Sequence, residues 1–418
     1  MTKRLILAFV FLSWHLVACS NGDSGISSGL PDKPSAEEDS PGTETISEEM
    51  RVKITGEDLY ISAKLDAKTD ILYWFKKCMF NELFTFYRVG TIDNNMPTPA
   101  TLPDASPTSL LNLAYSDNIG PFNITGYGWC GGNHPYLDEV TQTARNIGYR
   151  IYIDGKEIKT DLSTLTKEIK IEVINEIMNP SKADTSSGKT LLNEILCIET
   201  VNYSIYRNNI QVLVTHEFQN ESPVTVQMYY GMQSMFDKET HTLTANGKYV
   251  DWTVQKDVST FTKKEYPSFR RFIEKSANAY QSSYLFADGL GIHEEISDDD
   301  IIFIGNSSNK TYHKIIADRE HKKGDIIHWS GVYTWFKSPV SDDDDLLCYE
   351  GVIDNKKVLF IDCKKSVDRT IQLPVDYTKK SFTIIEKSKS ITITGNKVTA
   401  RGLRIVSDGS GSCVITFD

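Results

Sequence analysis

Short runs of alternating apolar and polar residues dominate this chain from about residue 50 onward. A period of two suits β-strands and not helices, because successive strand side chains point to opposite faces. Ile169-Lys170-Ile171-Glu172-Val173 alternates cleanly, and so do Val201 to Tyr206 and Gln211 to Phe218, the latter two joined by Arg207-Asn208-Asn209. Arg150 to Ile153, Asp154-Gly155 and Lys156 to Ile158 read as strand, turn and returning strand. Asp-Gly supplies the positive φ that a two-residue hairpin turn requires. A further run, Val224 to Tyr230, follows the turn residues Gln219 to Pro223, so this stretch predicts an antiparallel meander with one dry and one wet face. Lys357 to Asp418 holds more such runs, including Ile391 to Thr394 and Cys413 to Phe417. Helical signal is scarce: Phe269 to Tyr280 fits one helix, and Asp70 to Phe80 fits either state.

Regular short strands with few helices favour sheet-on-sheet packing. The expected fold is mainly β: a large antiparallel β-sandwich over 50–340, then a smaller C-terminal β-sandwich over 346–418. Ser341-Asp342-Asp343-Asp344-Asp345 marks the boundary. This layout is similar to mutarotase-like large sandwiches and to the two-sandwich arrangement of several polysaccharide lyases. Acids outnumber bases by 56 to 45, a net charge of −11, which excludes a general nucleic-acid binder with clustered Lys and Arg for phosphates. The runs Asp342 to Asp345 and Asp298 to Asp300 offer the hard oxygens that calcium accepts, so calcium is a possible ligand there. They lack the spaced ligands and turn glycine of a calcium loop, which leaves a solvated loop as the ordinary reading. No metal site or other cofactor is expected. Walker, dinucleotide, His-Glu-x-x-His and Gly-x-Ser-x-Gly motifs are absent, and Gly289 to Glu295, a His beside two acids, reads as an exposed turn.

The first residues form an address. Lys3 and Arg4 precede an apolar run from Leu5 to Val17, too short to span a bilayer. Leu16-Val17-Ala18-Cys19 resembles the lipobox of bacterial lipoproteins, in which the Cys is acylated and becomes the mature N-terminus. The resemblance implies a signal peptide over 1–18 and an exported protein lipidated at Cys19, held to a membrane by the lipid alone, with an outer-membrane or cell-surface location expected. Residues 19–49 are rich in Ser, Gly, Pro, Asp and Glu and too poor in apolar groups for a core, so they read as a flexible tether. That start is also similar to Bacteroidetes-type surface lipoproteins, many of which handle glycans. Six further cysteines, Cys78, Cys130, Cys197, Cys348, Cys363 and Cys413, permit up to three bridges. Free buried thiols are an equal alternative, and Cys348 to Cys363 is the nearest candidate pair.

Chemistry concentrates in two places. Gly126-Tyr127-Gly128-Trp129-Cys130-Gly131-Gly132-Asn133-His134-Pro135-Tyr136 is a Gly-rich loop with aromatic and polar side chains at its crest. Glycines allow positive φ and close backbone approach. Trp129 and Tyr136 offer flat apolar faces for a sugar ring, Asn133 offers directional hydrogen bonds, and His134 can exchange a proton near neutral pH. The alternative is a structural Ω-loop. Parts of 120–155 also resemble uncharacterised bacterial and phage proteins, which implies no activity. The second place is His216 on one run, with Tyr229, Tyr230 and Gln233 on the next, within reach if the runs pair across 219–223. His216 shares a face with Val212, Val214 and Phe218, so a core histidine is the competing reading. Arg145, nearby in sequence, can hold a carboxylate by two hydrogen bonds. His, Tyr and Arg on a concave sandwich are the parts that β-elimination on a uronic-acid polymer needs. The expected partner is therefore a polysaccharide, turned over by a lyase using His134, His216, Tyr229, Tyr230 and Arg145, with Trp129, Asn133, Tyr136 and Gln233 binding. The alternative is a non-catalytic glycan-binding or surface-assembly lipoprotein.

Overall fold

The alternating runs fold into antiparallel sheets whose strands are ordered by which faces they can bury. The computed structural model describes residues 46–78, 80–100, 119–235, 241–251, 259–262, 271–276, 279–286, 300–304 and 310–418. The signal, Cys19, Asp298 to Asp299 and Gly289 to Glu295 lie outside them. The described residues belong to one compact unit, 45–418, and the fold is nearly all β.

The centre is a ten-stranded sheet, in the order Tyr249–Asp251, His241–Leu243, Arg271–Lys275, Tyr280–Leu285, Ile326–Phe336, Asn209–Phe218, Ile195–Tyr206, Ile169–Met178, Ala144–Ile153 and Lys156–Ile158. A five-stranded sheet built from residues 50–93 and 162–166 and a six-stranded sheet pack on it. They share one core that includes Tyr73 and Phe75 of the first, Phe122, Tyr229 and Ile316 of the second, and Val201, Val212 and Trp329 of the large sheet. The six-stranded sheet runs Ser259–Thr262, Asp300–Ile304, Lys310–His321, Val224–Met235, Ile119–Ile124, Gly128–Gly131. The predicted Asp154-Gly155 turn is present, with φ of 47° and 76°, and it joins the last two strands of the large sheet.

The meander is corrected at its third strand. Ile195–Tyr206 and Asn209–Phe218 pair as expected. The second of these also pairs with Ile326–Phe336, so both its edges are taken. Val224–Met235 therefore crosses to the six-stranded sheet, between Ile119–Ile124 and Lys310–His321.

The C-terminal segment builds a five-stranded and a three-stranded sheet around their own core, which includes Cys348, Ile361, Cys413, Leu403 and Ile405. A second core joins it to the large sheet through Tyr284, Phe336, Tyr349 and Phe360, with Tyr349 stacked between Phe336 and Phe360 at 4.4 and 4.9 Å. Arg271–Lys275 and Tyr280–Leu285 are consequently covered on both faces. This overturns, over its described residues 271–276 and 279–280, the helix expected from Phe269 to Tyr280, the rest of which lies outside the described residues: a strand buried on both sides loses its alternation and cannot be told from a buried helix by period. Thr69–Cys78 is likewise strand. All six described cysteines are free and buried.

The acidic run at 341–345 is engaged in ion pairs. Lys364 Nζ lies 2.7 Å from Asp342 Oδ1, and Lys275 Nζ 2.5 Å from Asp342 Oδ2. Arg369 lies 2.7 Å from Asp343, and Lys365 2.8 Å from Asp345. Partial burial pulls Asp343 upward, but amides of Asp345 and Leu346 and the Arg369 guanidinium prevail and hold it down to about 2. The run thus works as a clasp between the large sheet and the C-terminal strands.

Candidate functional site

The Gly-rich loop is held by its neighbours. Asn81 Nδ2 donates to the Gly132 carbonyl (2.7 Å), Thr143 N donates to Asn81 Oδ1 (3.1 Å) and Gln142 Nε2 donates to the Phe80 carbonyl (2.9 Å). Gly131 and Gly132 have φ of 78° and 56°, and a Cβ at Gly131 would press on Ile177 at 3.3 Å. Glycine is what lets the chain turn there against the core.

Just before it, strand alternation sends successive side chains to opposite faces of the sheet. Along Gly128–Gly131, Cys130 points into the core and Trp129 points outward, half-buried. Trp129 faces the Tyr230 ring at 5.9 Å and 22°, and the Tyr136 ring at 6.2 Å and 29°. His134, also half-buried, meets the Tyr136 ring at 5.7 Å, near its edge. The result is an aromatic row on the outer side of the six-stranded sheet, formed by Tyr230, Trp129, Tyr136 and His134. Tyr230 is its buried inner end, and Tyr127 at the tip of the adjacent turn is 54% exposed. Asn133, beside the row in sequence, is buried, and its Oδ1 has no hydrogen-bond partner among the described residues.

His216 and Tyr229 lie inside the sandwich. Both are fully buried, and their rings meet edge to face at 5.0 Å, with Phe122 at 4.9 Å from His216. They approach across the gap between two sheets, not across a ladder. Tyr229 Oη accepts from Trp329 Nε1 at 3.0 Å. His216 Nε2 lies 2.8 Å from Glu199 Oε2. Asn175 Nδ2 donates to Glu199 Oε1, and Asn146 Nδ2 donates to Asn175 Oδ1, both at 2.9 Å. Register explains this chain of contacts: Asn146 pairs with Asn175, Asn175 with Glu199, and Glu199 with His216. Four adjacent strands thus carry one polar rung through an apolar core. A buried charge is tolerated only when paired and hydrogen-bonded in this way.

The remaining predicted residues lie apart from the row. Arg145 pairs with Glu176 across to the neighbouring strand and is largely exposed. Gln233 is buried, and its carbonyl accepts from Tyr333 Oη at 2.8 Å. The structure therefore brings together Trp129, His134, Tyr136 and Tyr230, and puts His216 with Tyr229. The buried placement of Tyr229 and His216 removes them from the surface that the aromatic row presents. Glu199 and Asn175 were missed, although both occupy apolar-face positions, after Cys197 and before Val201, and between Val173 and Ile177. Among the described residues, no group of three or more His, Cys, Asp or Glu is arranged to hold a metal ion, and no helix is long and apolar enough to cross a membrane.

No family model and no curated protein matches this chain. Solved structures with similar strand layouts include the GH36 alpha-galactosidase AgaB from Geobacillus stearothermophilus, at 8% identity and a TM-score of 0.39 over 69% of this chain and 41% of that one. A Glycoside Hydrolase Family 97 enzyme in complex with acarbose, from Pseudoalteromonas sp. strain K8, is similar at 7% identity and a TM-score of 0.33, over 70% of this chain and 37% of that one. The chondroitin AC lyase of Streptomyces coelicolor A3, in complex with chondroitin sulphate, gives 9% identity and a TM-score of 0.19 over 86% and 48%. The chain spans about two fifths of the length of the first two.

Proposed function

We propose that this protein binds a polysaccharide along the outer side of its six-stranded sheet. The observation that carries the reading is the row of near-parallel rings at Tyr230, Trp129 and Tyr136, half-buried at its outer end and seated on a pinned loop. Rigid aromatic faces give a sugar's C–H surface a large contact at little cost in conformational entropy. His134 at the rim supplies a directional donor or acceptor. Residues 1–18 act as an export signal in this reading, and Cys19 carries a lipid that holds the folded part at a membrane surface; the lipobox-like run supports that assignment.

Turnover by β-elimination needs a base, an acid and a cation converging on one uronate. Arg145 is occupied by Glu176, and His216 and Tyr229 lie beneath the sheet, so these side chains favour binding over lyase chemistry. The test is affinity electrophoresis of the purified chain against a panel of neutral and uronate-containing polysaccharides, with absorbance of unsaturated uronate followed in parallel. Retention by at least one polymer with flat absorbance is expected. Rising absorbance would restore the lyase reading, and no retention across the panel would overturn both.

A further inference from the structure

A second site lies at the opposite end of the large sheet. The turn between Ile195–Tyr206 and Asn209–Phe218 borders a cavity of about 140 Å³. Its walls come from three parts of the fold: Leu65, the turn residues Arg207 and Asn208 with Lys337, and Glu350, Lys357 and Tyr377 of the C-terminal segment. His216 stands at the far end of the strand that this turn begins, about 25 Å away at the usual rise per residue. The cavity is thus separate from the aromatic row.

Its charges are unevenly balanced. Lys337 is held by Asp66 at 3.3 Å and Thr69 Oγ1 at 2.8 Å. Lys357 reaches Glu48 at 3.4 Å in a largely exposed pair, which water screens heavily. Glu350 takes the Tyr377 hydroxyl. Arg207 has no carboxylate partner among the described residues. One Nη2 bond to the Lys64 carbonyl, at 3.4 Å, is the guanidinium's described contact, and its Nε is buried without an acceptor. The backbone beneath it is fixed: Tyr73 Oη donates to the Arg207 carbonyl at 3.0 Å, and Asn208 Nδ2 donates to the Trp335 carbonyl at 2.6 Å. An arginine on a fixed turn, without a carboxylate partner among the described residues and lining a small cavity that two lysines also line, matches the requirements of an anion.

We propose that this cavity binds a small oxyanion, with Arg207 as its principal ligand and Lys337 and Lys357 as flanking charges. The volume admits one compact group, either the carboxylate of a single acidic sugar or a free inorganic anion. The test is thermal unfolding of the purified chain titrated with sodium glucuronate, sodium sulfate or sodium phosphate, at ionic strength held constant with sodium chloride. A saturable rise in Tm of about 2 °C is expected with at least one of them, by preferential binding to the folded state. Glucuronate alone would mark an acidic-sugar site, and sulfate or phosphate a free-anion site. Arg207→Gln should abolish the rise, and Arg207→Lys, which keeps the charge and loses the fork, should weaken affinity about tenfold. Should Arg207→Gln not fold, Lys357→Gln on the exposed wall should weaken affinity several-fold. No saturable rise with any of the three anions, or a rise unchanged in these variants, would overturn the proposal. Because the site is remote from Trp129, a failed polysaccharide screen would leave this result standing, and the reverse.

Discussion

Two histidines, His134 in the Gly-rich loop and His216 on a strand, each meet a tyrosine ring, and the fold gives them opposite surroundings. His134 stands at the half-buried rim of an aromatic row beside Tyr136. His216 is sealed between sheets, its Nε2 against Glu199 and its ring against Phe122 and Tyr229. Period-two geometry divides the tyrosines that they lie near. Tyr229 and Tyr230 are adjacent, yet one meets His216 inside and the other meets Trp129 outside. Adjacency in a strand separates side chains, whereas register across strands gathers them, as in the rung from Asn146 to His216.

The largest expected effect tests the interior member. His216→Ala should strand Glu199 in the core and lower unfolding free energy by about 3–5 kcal/mol, read by urea denaturation, while any protein that folds keeps its polysaccharide retention. Lost retention in a folded His216 variant would break the division between the two regions. The next effect concerns a buried acid with no cation in contact among the described residues. Glu274 donates nothing to a base and is hydrogen-bonded by Thr311, and burial pushes its carboxyl up to about 8. The folded state then keeps a proton that the unfolded chain releases near pH 4.3. Stability from this group is therefore full below that value and is lost as pH rises toward 8, at up to about 1.4 kcal/mol per unit. Glu274→Gln should flatten that slope; an unchanged slope across pH 5–8 would show that the acid is ionised in the fold. Trp129→Ala should cost only about 1–2 kcal/mol of stability and reduce polysaccharide affinity about tenfold or more. The smallest effect is at the rim: His134→Ala should change stability by less than about 0.5 kcal/mol while weakening retention. A large loss of stability there would make His134 a structural residue and erase the contrast.

Strand positions were legible because alternation survives wherever one face is wet, as along Ile169–Met178 and Asn209–Phe218. It failed where both faces are covered, which is why Arg271–Lys275 resembled a helix. The departure of Val224–Met235 to another sheet was not legible, because alternation specifies a face and not a partner. The aromatic row was half legible. Gly and Trp in one loop signalled a built surface, but the burial of Asn133 was not legible, nor was the pinning of the loop at Gly132 by Asn81, distant in sequence. The polar rung was readable in principle, since Asn175 and Glu199 interrupt apolar faces.

Hydrogen exchange with and without the best-retained polysaccharide tests the central claim most directly, because it compares both regions in one sample. Protection is expected in the amides of 127–137 and 228–231 around the aromatic row, with no change at 196–200 and 214–218 around Glu199 and His216. Protection confined to the latter pair of segments, or none near Trp129, would contradict a binding surface on the outer side of the sheet.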